Sequence, residues 1–101
     1  WSAYPHHAVS KSALAHLTRI QARALSPQVR FNGIAPGAVL PPDDWPMERR
    51  QALAERSALE RNGTPDDVVQ ALMYLIEADF VTGHIIPVDG GRLLGPSGPQ
   101  A

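Results

Sequence analysis

The chain has no cysteine, which removes disulfides, thiolate metal sites and cysteine nucleophiles from consideration. It has no marked excess of charge: 9 Lys+Arg stand against 10 Asp+Glu, for a net charge of -1. No basic surface for nucleic acid or for anionic lipid is therefore expected. No apolar run approaches the roughly 20 residues of a membrane span. The opening Trp1-Ser2-Ala3-Tyr4-Pro5 has neither the basic nor the apolar region of a signal peptide. A cytoplasmic location is the expectation, and a processed or truncated chain would explain the missing initiator Met. None of the eight glycines falls into G-x-G-x-x-G or G-x-x-x-G-x-G, so no phosphate-cradling loop is present. Internal repeats are absent too.

What is present fits one domain at most. The chain has 101 residues, 44% of them hydrophobic, a globular composition rather than a disordered one. Residues 6 to 25 read as a helix, with Ala13, Leu17, Ile20 and Ala24 at helical spacing on one apolar face. Ser26-Pro27 ends it, because proline disfavours helical geometry in the residue before it. Residues 29 to 35 read as a short strand stopped by Pro36-Gly37. An irregular loop from Ala38 to Pro46 is long enough to be suspected of function. A weakly amphipathic helix is expected from Met47 to Ser57.

Gly63-Thr64-Pro65-Asp66-Asp67 is a strong helix start. Thr64 is the expected N-cap, Pro65 takes the first turn, and the carboxylates face the positive end of the helix dipole. The stripe Val68, Leu72, Leu75 and Ile76 carries that helix to about Glu77. His84 to Val88 reads as a second strand, closed by Asp89-Gly90-Gly91, a turn read as structural. Residues 1 to 94 form the expected domain, and 95 to 101 a frayed tail. Two strands joined by helical crossovers predict a parallel α/β layer. Parallel sheets are buried on both faces, so this pattern calls for more strands from another segment or chain.

Four blocks, in order, resemble the C-terminal half of the short-chain dehydrogenase/reductase family. They are Ser10-Lys11-Ser12-Ala13-Leu14 with Leu17-Thr18; Val29 through Gly37; Gly63 through Val68; and Val81 through Gly91. The resemblance covers about residues 4 to 94. The resemblance implies an α/β fold, the C-terminal portion of a Rossmann-type doubly wound parallel sheet, incomplete as given. It also implies a nicotinamide-dependent oxidoreductase acting on a small-molecule substrate. The loop Ala38-Val39-Leu40-Pro41-Pro42-Asp43 looks like the pteridine reductase branch, which uses NADPH. NADP(H) is accordingly expected ahead of NAD(H), with no metal.

In this family a tyrosine and a lysine four residues apart share a helix face; the lysine holds the nicotinamide ribose and the tyrosine exchanges the substrate proton. Lys11 matches the lysine. Four residues earlier stands His7, not tyrosine, and Tyr4 is two turns away from Lys11, too far to substitute. Histidine can act as a general acid, but a neighbouring ammonium disfavours imidazolium. An altered mechanism, a weak enzyme and a pseudoenzyme all stay open. Read without the resemblance, Lys11 is an ordinary solvated lysine.

Pro36, Gly37, Ala38 and Val39 are expected, by the resemblance, to present backbone groups to the nicotinamide carboxamide. Leu40 and Trp45, with Met47, either belong to a substrate loop or only pack that loop. His6, His16 and His84 show no metal-ligand spacing. Ser2 and Ser10 have no evident base partner for a hydrolase triad.

The resemblance further implies that the N-terminal half, with the phosphate loop and a catalytic serine, lies on a longer chain. The 101 residues alone are expected to be inactive. The competing reading is a non-catalytic association module, forming homo-oligomers through its long helices. The stripe at Val68–Ile76 would serve that role, or would only cover the sheet.

Overall fold

A computed structural model describes residues 5–39 and 41–98; the side chain of His7 is outside the described set, as are Tyr4 and Leu40. The elements are α1 (Pro5–Leu25), β1 (Gly33–Pro36), α2 (Met47–Ala54), α3 (Pro65–Glu77), β2 (Ile85–Val88) and a 3-10 turn (Arg92–Leu94). β1 and β2 pair as a two-stranded sheet. Gly33 donates to the His84 carbonyl at 2.8 Å and Gly37 to the Val88 carbonyl at 2.9 Å. Residue numbers rise together along both strands, so the pairing is parallel.

The chain divides into two compact units. One takes the residues up to Gly33 together with Leu75–Ile86. The other takes Ile34–Tyr74 together with the residues from Pro87 onward. Both strands therefore begin in the first unit and end in the second.

In the first unit the buried residues are Thr18, Ala22 and Leu75. The helix α1 turns Thr18 and Ala22 inward, not the face carrying Ala13, Leu17, Ile20 and Ala24. Leu17 and Ile20 are 46% and 52% exposed. The apolar periodicity of α1 is thus real but is not its packed face. The physical reason is closeness: Thr18 and Ala22 are small enough to let the helix lie against Gly33 and Gly83. The Thr18 hydroxyl is satisfied by donating to the Leu14 carbonyl at 2.9 Å.

β1 starts four residues later than the sequence pattern predicts. Residues 29–32 are fixed instead by side chains. One Arg30 amino group donates to the carbonyls of Leu75 (2.7 Å) and Ala78 (3.0 Å), the other to that of Ile76 (3.0 Å). These are carbonyls at the end of α3 that helical geometry leaves without intrahelical donors. The Phe31 amide donates to the Thr82 hydroxyl at 3.1 Å. The Asn32 amide group donates to the Val81 carbonyl at 2.9 Å and its oxygen accepts from the His84 amide at 3.0 Å. Side-chain partners take the place of most ladder partners here, alongside one backbone bond from the Gly83 amide to the Phe31 carbonyl at 2.8 Å.

In the second unit Ala54 and Ser57 are buried. α2 ends at Ala54, short of the expected Ser57, because the Ser57 hydroxyl is drawn into a turn. It lies 3.1 Å from the Ala54 carbonyl and 3.0 Å from the Arg61 carbonyl, and accepts from the Arg61 amide at 3.3 Å. Asp89-Gly90-Gly91 forms the expected structural turn. Both glycines have positive φ (61 and 78), and the Asp89 carboxylate accepts from the Gly91 amide at 3.0 Å. Beyond it, in the segment read as a tail, Ser97 donates to the Glu60 carboxylate at 2.6 Å.

Candidate active site

The sequence-predicted residues divide between the units. Lys11 belongs to the first; Pro36, Gly37, Ala38, Val39 and Trp45 belong to the second.

Lys11 is exposed on α1. At 100° per residue, positions 11, 15, 18 and 22 fall within one narrow stripe of the helix, and 18 and 22 are its buried residues. Lys11 therefore lies in line with the face of α1 that packs on the strands, about 10 Å along the axis before Thr18.

The segment Pro36–Val39 leaves the carboxyl end of β1, the end at which open parallel sheets bind ligands. Two anchors hold it. On one side Gly37 donates to Val88. The approach there is so close that a Cβ on Gly37 would stand 2.8 Å from Asp89 Cα, so only glycine fits. On the other side the Ala38 carbonyl accepts from the Gly63 amide at 2.8 Å, and Val39 and Gly63 form an isolated parallel bridge. A Cβ on Gly63 would meet Val39 Cγ2 at 3.0 Å and the Ala38 oxygen at 3.3 Å.

Gly63 is in turn clasped by charge. Arg61 donates to both oxygens of Asp67, at 2.8 and 2.9 Å, and to the Asn62 carbonyl at 3.0 Å. One Asp67 oxygen also accepts from the Thr64 amide at 2.7 Å and the Thr64 hydroxyl at 3.0 Å. The Asp67 amide donates back to that hydroxyl at 3.3 Å. This is a capping box at the start of α3, with aspartate in the place of the usual glutamate or glutamine. Hydrogen bonds from Arg61, and then from the Thr64 amide, hold the Asp67 carboxyl well below the usual carboxylate range. The same pair raises Arg61 above its ordinary value.

A cavity of about 330 Å³ lies within the second unit, bordered by Ala38, Ser57, Asn62, Gly63, Asp67 and Val88. The Asn62 side-chain oxygen is buried with no partner among the described residues, while its amide nitrogen donates to the Arg50 carbonyl at 3.3 Å.

Trp45 is half-buried just before α2. Arg49 lies 3.7 Å over its ring. Arg50 ties the loop through the carbonyls of Trp45 (3.2 Å) and Pro42 (2.7 Å). Met47 is 76% exposed. No group of three or more His, Cys, Asp or Glu capable of holding a metal occurs among the described residues. No described helix is long and apolar enough to cross a membrane.

Sequence reasoning found Thr64, Pro65 and the two aspartates as a helix start, and missed Arg61 as Asp67's partner. Arg61 precedes α3, so no helical periodicity links the two. The available signal was only an arginine close upstream of an N-terminal carboxylate.

With this geometry in place, known proteins supply a frame. A family model described as enoyl-(acyl carrier protein) reductase matches residues 1–92. The dihydromonapterin reductase of Escherichia coli is 39% identical over 88 residues, 87% of this chain and 37% of that protein. FolM alternative dihydrofolate reductase 1 from Brucella suis, solved in complex with NADP, is 35% identical with a TM-score of 0.77, over 90% of this chain and 37% of that one. A short-chain dehydrogenase/reductase structure from Burkholderia xenovorans is also 35% identical, with a TM-score of 0.75, over 87% of this chain and 34% of that one. The chain spans about 37% of the length of the curated reductases it matches.

Proposed function

The chain belongs to the short-chain dehydrogenase/reductase family, and from that membership we propose that it is the C-terminal part of an NADP(H)-dependent reductase acting on a pteridine. The observation that carries this reading is the doubly anchored Pro36–Val39 segment at the carboxyl end of β1. The relatives that reduce dihydromonapterin or bear the name of an alternative dihydrofolate reductase support the substrate class. The NADP in the Brucella suis structure supports the cofactor.

The residues present suit the nicotinamide–ribose end of such a cofactor. Lys11 offers an exposed ammonium for ribose hydroxyls. Residues 36–39 offer a backbone that glycine at position 37 keeps close and fixed. No glycine motif for the pyrophosphate lies within these 101 residues. When bound, the cofactor supplies hydride. Lys11 holds and orients the ribose through charge-assisted hydrogen bonds. Pro36–Val39 would hold the carboxamide through its backbone groups and so orient the nicotinamide. His7, at the family's tyrosine position, donates a hydrogen bond or a proton to the substrate atom that gains charge.

The same reading includes a homo-oligomer built through α1 and α3. Exposed Leu14, Leu17 and Ile20 on one helix and Leu72, Met73 and Tyr74 on the other support it.

The test is reduction of a dihydropteridine by the intact protein, followed with NADPH and NADH. Turnover with NADPH is expected, together with a gain on His7→Tyr. No turnover and no binding of either cofactor sinks the proposal. Unchanged turnover in His7→Tyr shows that the missing tyrosine is not what limits the rate.

A further inference from the structure

We infer that Arg61 and Asp67 form a positioning clasp for the cofactor-contacting segment, setting where Ala38 and Val39 lie without themselves touching the ligand. The inference rests on the reading of residues 36–39 given above and deepens it. It adds two specificity-determining residues outside the tyrosine–lysine helix.

Position 38 is held from outside its own strand. The Ala38 carbonyl is anchored on the Gly63 amide, and Gly63 sits in the turn that leads into α3. The turn is held at both flanks by one carboxylate. Asp67 accepts two hydrogen bonds from Arg61, two positions before Gly63, and two from Thr64, one position after it. Gly63 is thereby pinned between two residues bound to a single group on the first turn of α3. The backbones of residue 63 and residues 38–39 lie so close that a Cβ on Gly63 would meet Val39 Cγ2 at 3.0 Å and the Ala38 oxygen at 3.3 Å.

Stability is a weak explanation for the arrangement. The Arg61 side chain is 56% exposed, and exposed ion pairs contribute little to folding. Bidentate geometry does, however, fix direction as well as distance. A clasp that adds little stability yet determines the placement of a neighbouring backbone fits a positioning role. Ala38, Arg61, Gly63 and Asp67 all border the same cavity of about 330 Å³.

The experiment uses the intact protein with Arg61→Met and Asp67→Asn. Arg61→Met keeps the capping box, so it tests the clasp even if Asp67→Asn folds poorly. Amide hydrogen exchange reads placement directly. Gly63 is expected to lose protection about tenfold, the ratio that corresponds to 1.4 kcal/mol. Gly37, anchored on Val88 instead, is expected to keep its protection and serves as the internal reference. NADPH titration reads the use of that placement. KM for NADPH is expected to rise about tenfold while KM for the pteridine changes less than about twofold. Arg61→Lys, which retains charge without the fork, is expected to recover only part of the loss.

Unchanged exchange at Gly63 in Arg61→Met overturns the inference whatever the cofactor does. Equal losses at Gly63 and Gly37 also overturn it, because they mark general destabilisation. If Gly63 alone loses protection but the wild-type protein binds no nicotinamide cofactor, the clasp stands as the anchor of Ala38. In that case it is the proposed function that falls.

Discussion

The two ends of β1 are held by opposite means. At its start, residues 29–32 are held largely by side chains, Arg30 on the carbonyls of Leu75, Ile76 and Ala78, Asn32 on both sides of the turn before β2 and Thr82 on the Phe31 amide, with one backbone bond from the Gly83 amide to the Phe31 carbonyl. At its finish, residues 36–39 are held through peptide groups, by the Gly37 amide on the Val88 carbonyl at 2.9 Å and the Gly63 amide on the Ala38 carbonyl at 2.8 Å, where a Cβ on Gly37 or Gly63 would stand only 2.8 or 3.0 Å from its neighbour. Side-chain anchorage tolerates small shifts of the backbone, and it stabilises. Backbone anchorage through glycine tolerates almost none, and it positions. That contrast separates a structural region from a candidate ligand region more sharply than residue identity does.

The comparison can be broken in several ways. The largest expected effect is on chemistry: Lys11→Met in the intact protein should lower turnover by a hundredfold or more, about the lower range for loss of a positioned catalytic group. Its denaturation midpoint should stay within about 0.5 kcal/mol of wild type, since Lys11 is exposed. Parallel losses of activity and stability would place Lys11 in the structural class.

Arg30→Ala should do the reverse. Losing the donor to three helix-end carbonyls should cost about 2–3 kcal/mol in urea unfolding, by the range for hydrogen bonds to charged groups. Cofactor affinity per folded molecule should not change. Arg30→Lys should restore less than half, because an ammonium cannot span the three acceptors as a fork does.

Gly37→Ala sharpens the other side. Its Cβ would press on Asp89 backbone at 2.8 Å, an overpacking cost of about 1–3 kcal/mol. NADPH affinity should fall by more than that stability loss explains. A fall in melting temperature with affinity intact would remove residues 36–39 from the cofactor site.

The smallest effect is a titration. Asp67's carboxyl is held below its ordinary value, so its contribution is present above the ordinary aspartate pKa near 3.9. That contribution fades as pH falls toward the depressed folded value. Carbon-13 NMR should find Asp67 still ionised at pH about 3, where most exposed aspartates are protonated. Arg61→Met should move its titration up toward the ordinary range; a titration that does not move would assign the depression to Thr64 alone.

The short-range features were legible in the chain. Thr64, Pro65 and Asp67 are adjacent residues whose capping geometry depends only on each other, so the start of α3 could be read directly. Pro36-Gly37 as the end of β1, and Asp89-Gly90-Gly91 as a turn, follow from the same locality. Lys11 was singled out by its place within the family-like blocks, and its role belongs to the proposal. The packed face of α1 was not. Periodicity marked Leu17 and Ile20, whereas the helix buries Thr18 and Ala22, because close contact with the strands rewards small size over hydrophobicity. Nor could the start of β1 be placed, since Arg30 and Asn32 find their partners some 45 to 52 positions away.

By itself, then, the sequence determined the helices, the turns, the order of the strands and the family likeness, all of which depend on residues within a few positions of one another. Only the tertiary structure decided which face of α1 is packed, where β1 begins, and that Arg61 and Asp67 reach Ala38 through Gly63. Those outcomes depend on which distant groups meet, and on whether a Cβ would fit between them, a matter of ångströms that no local pattern encodes.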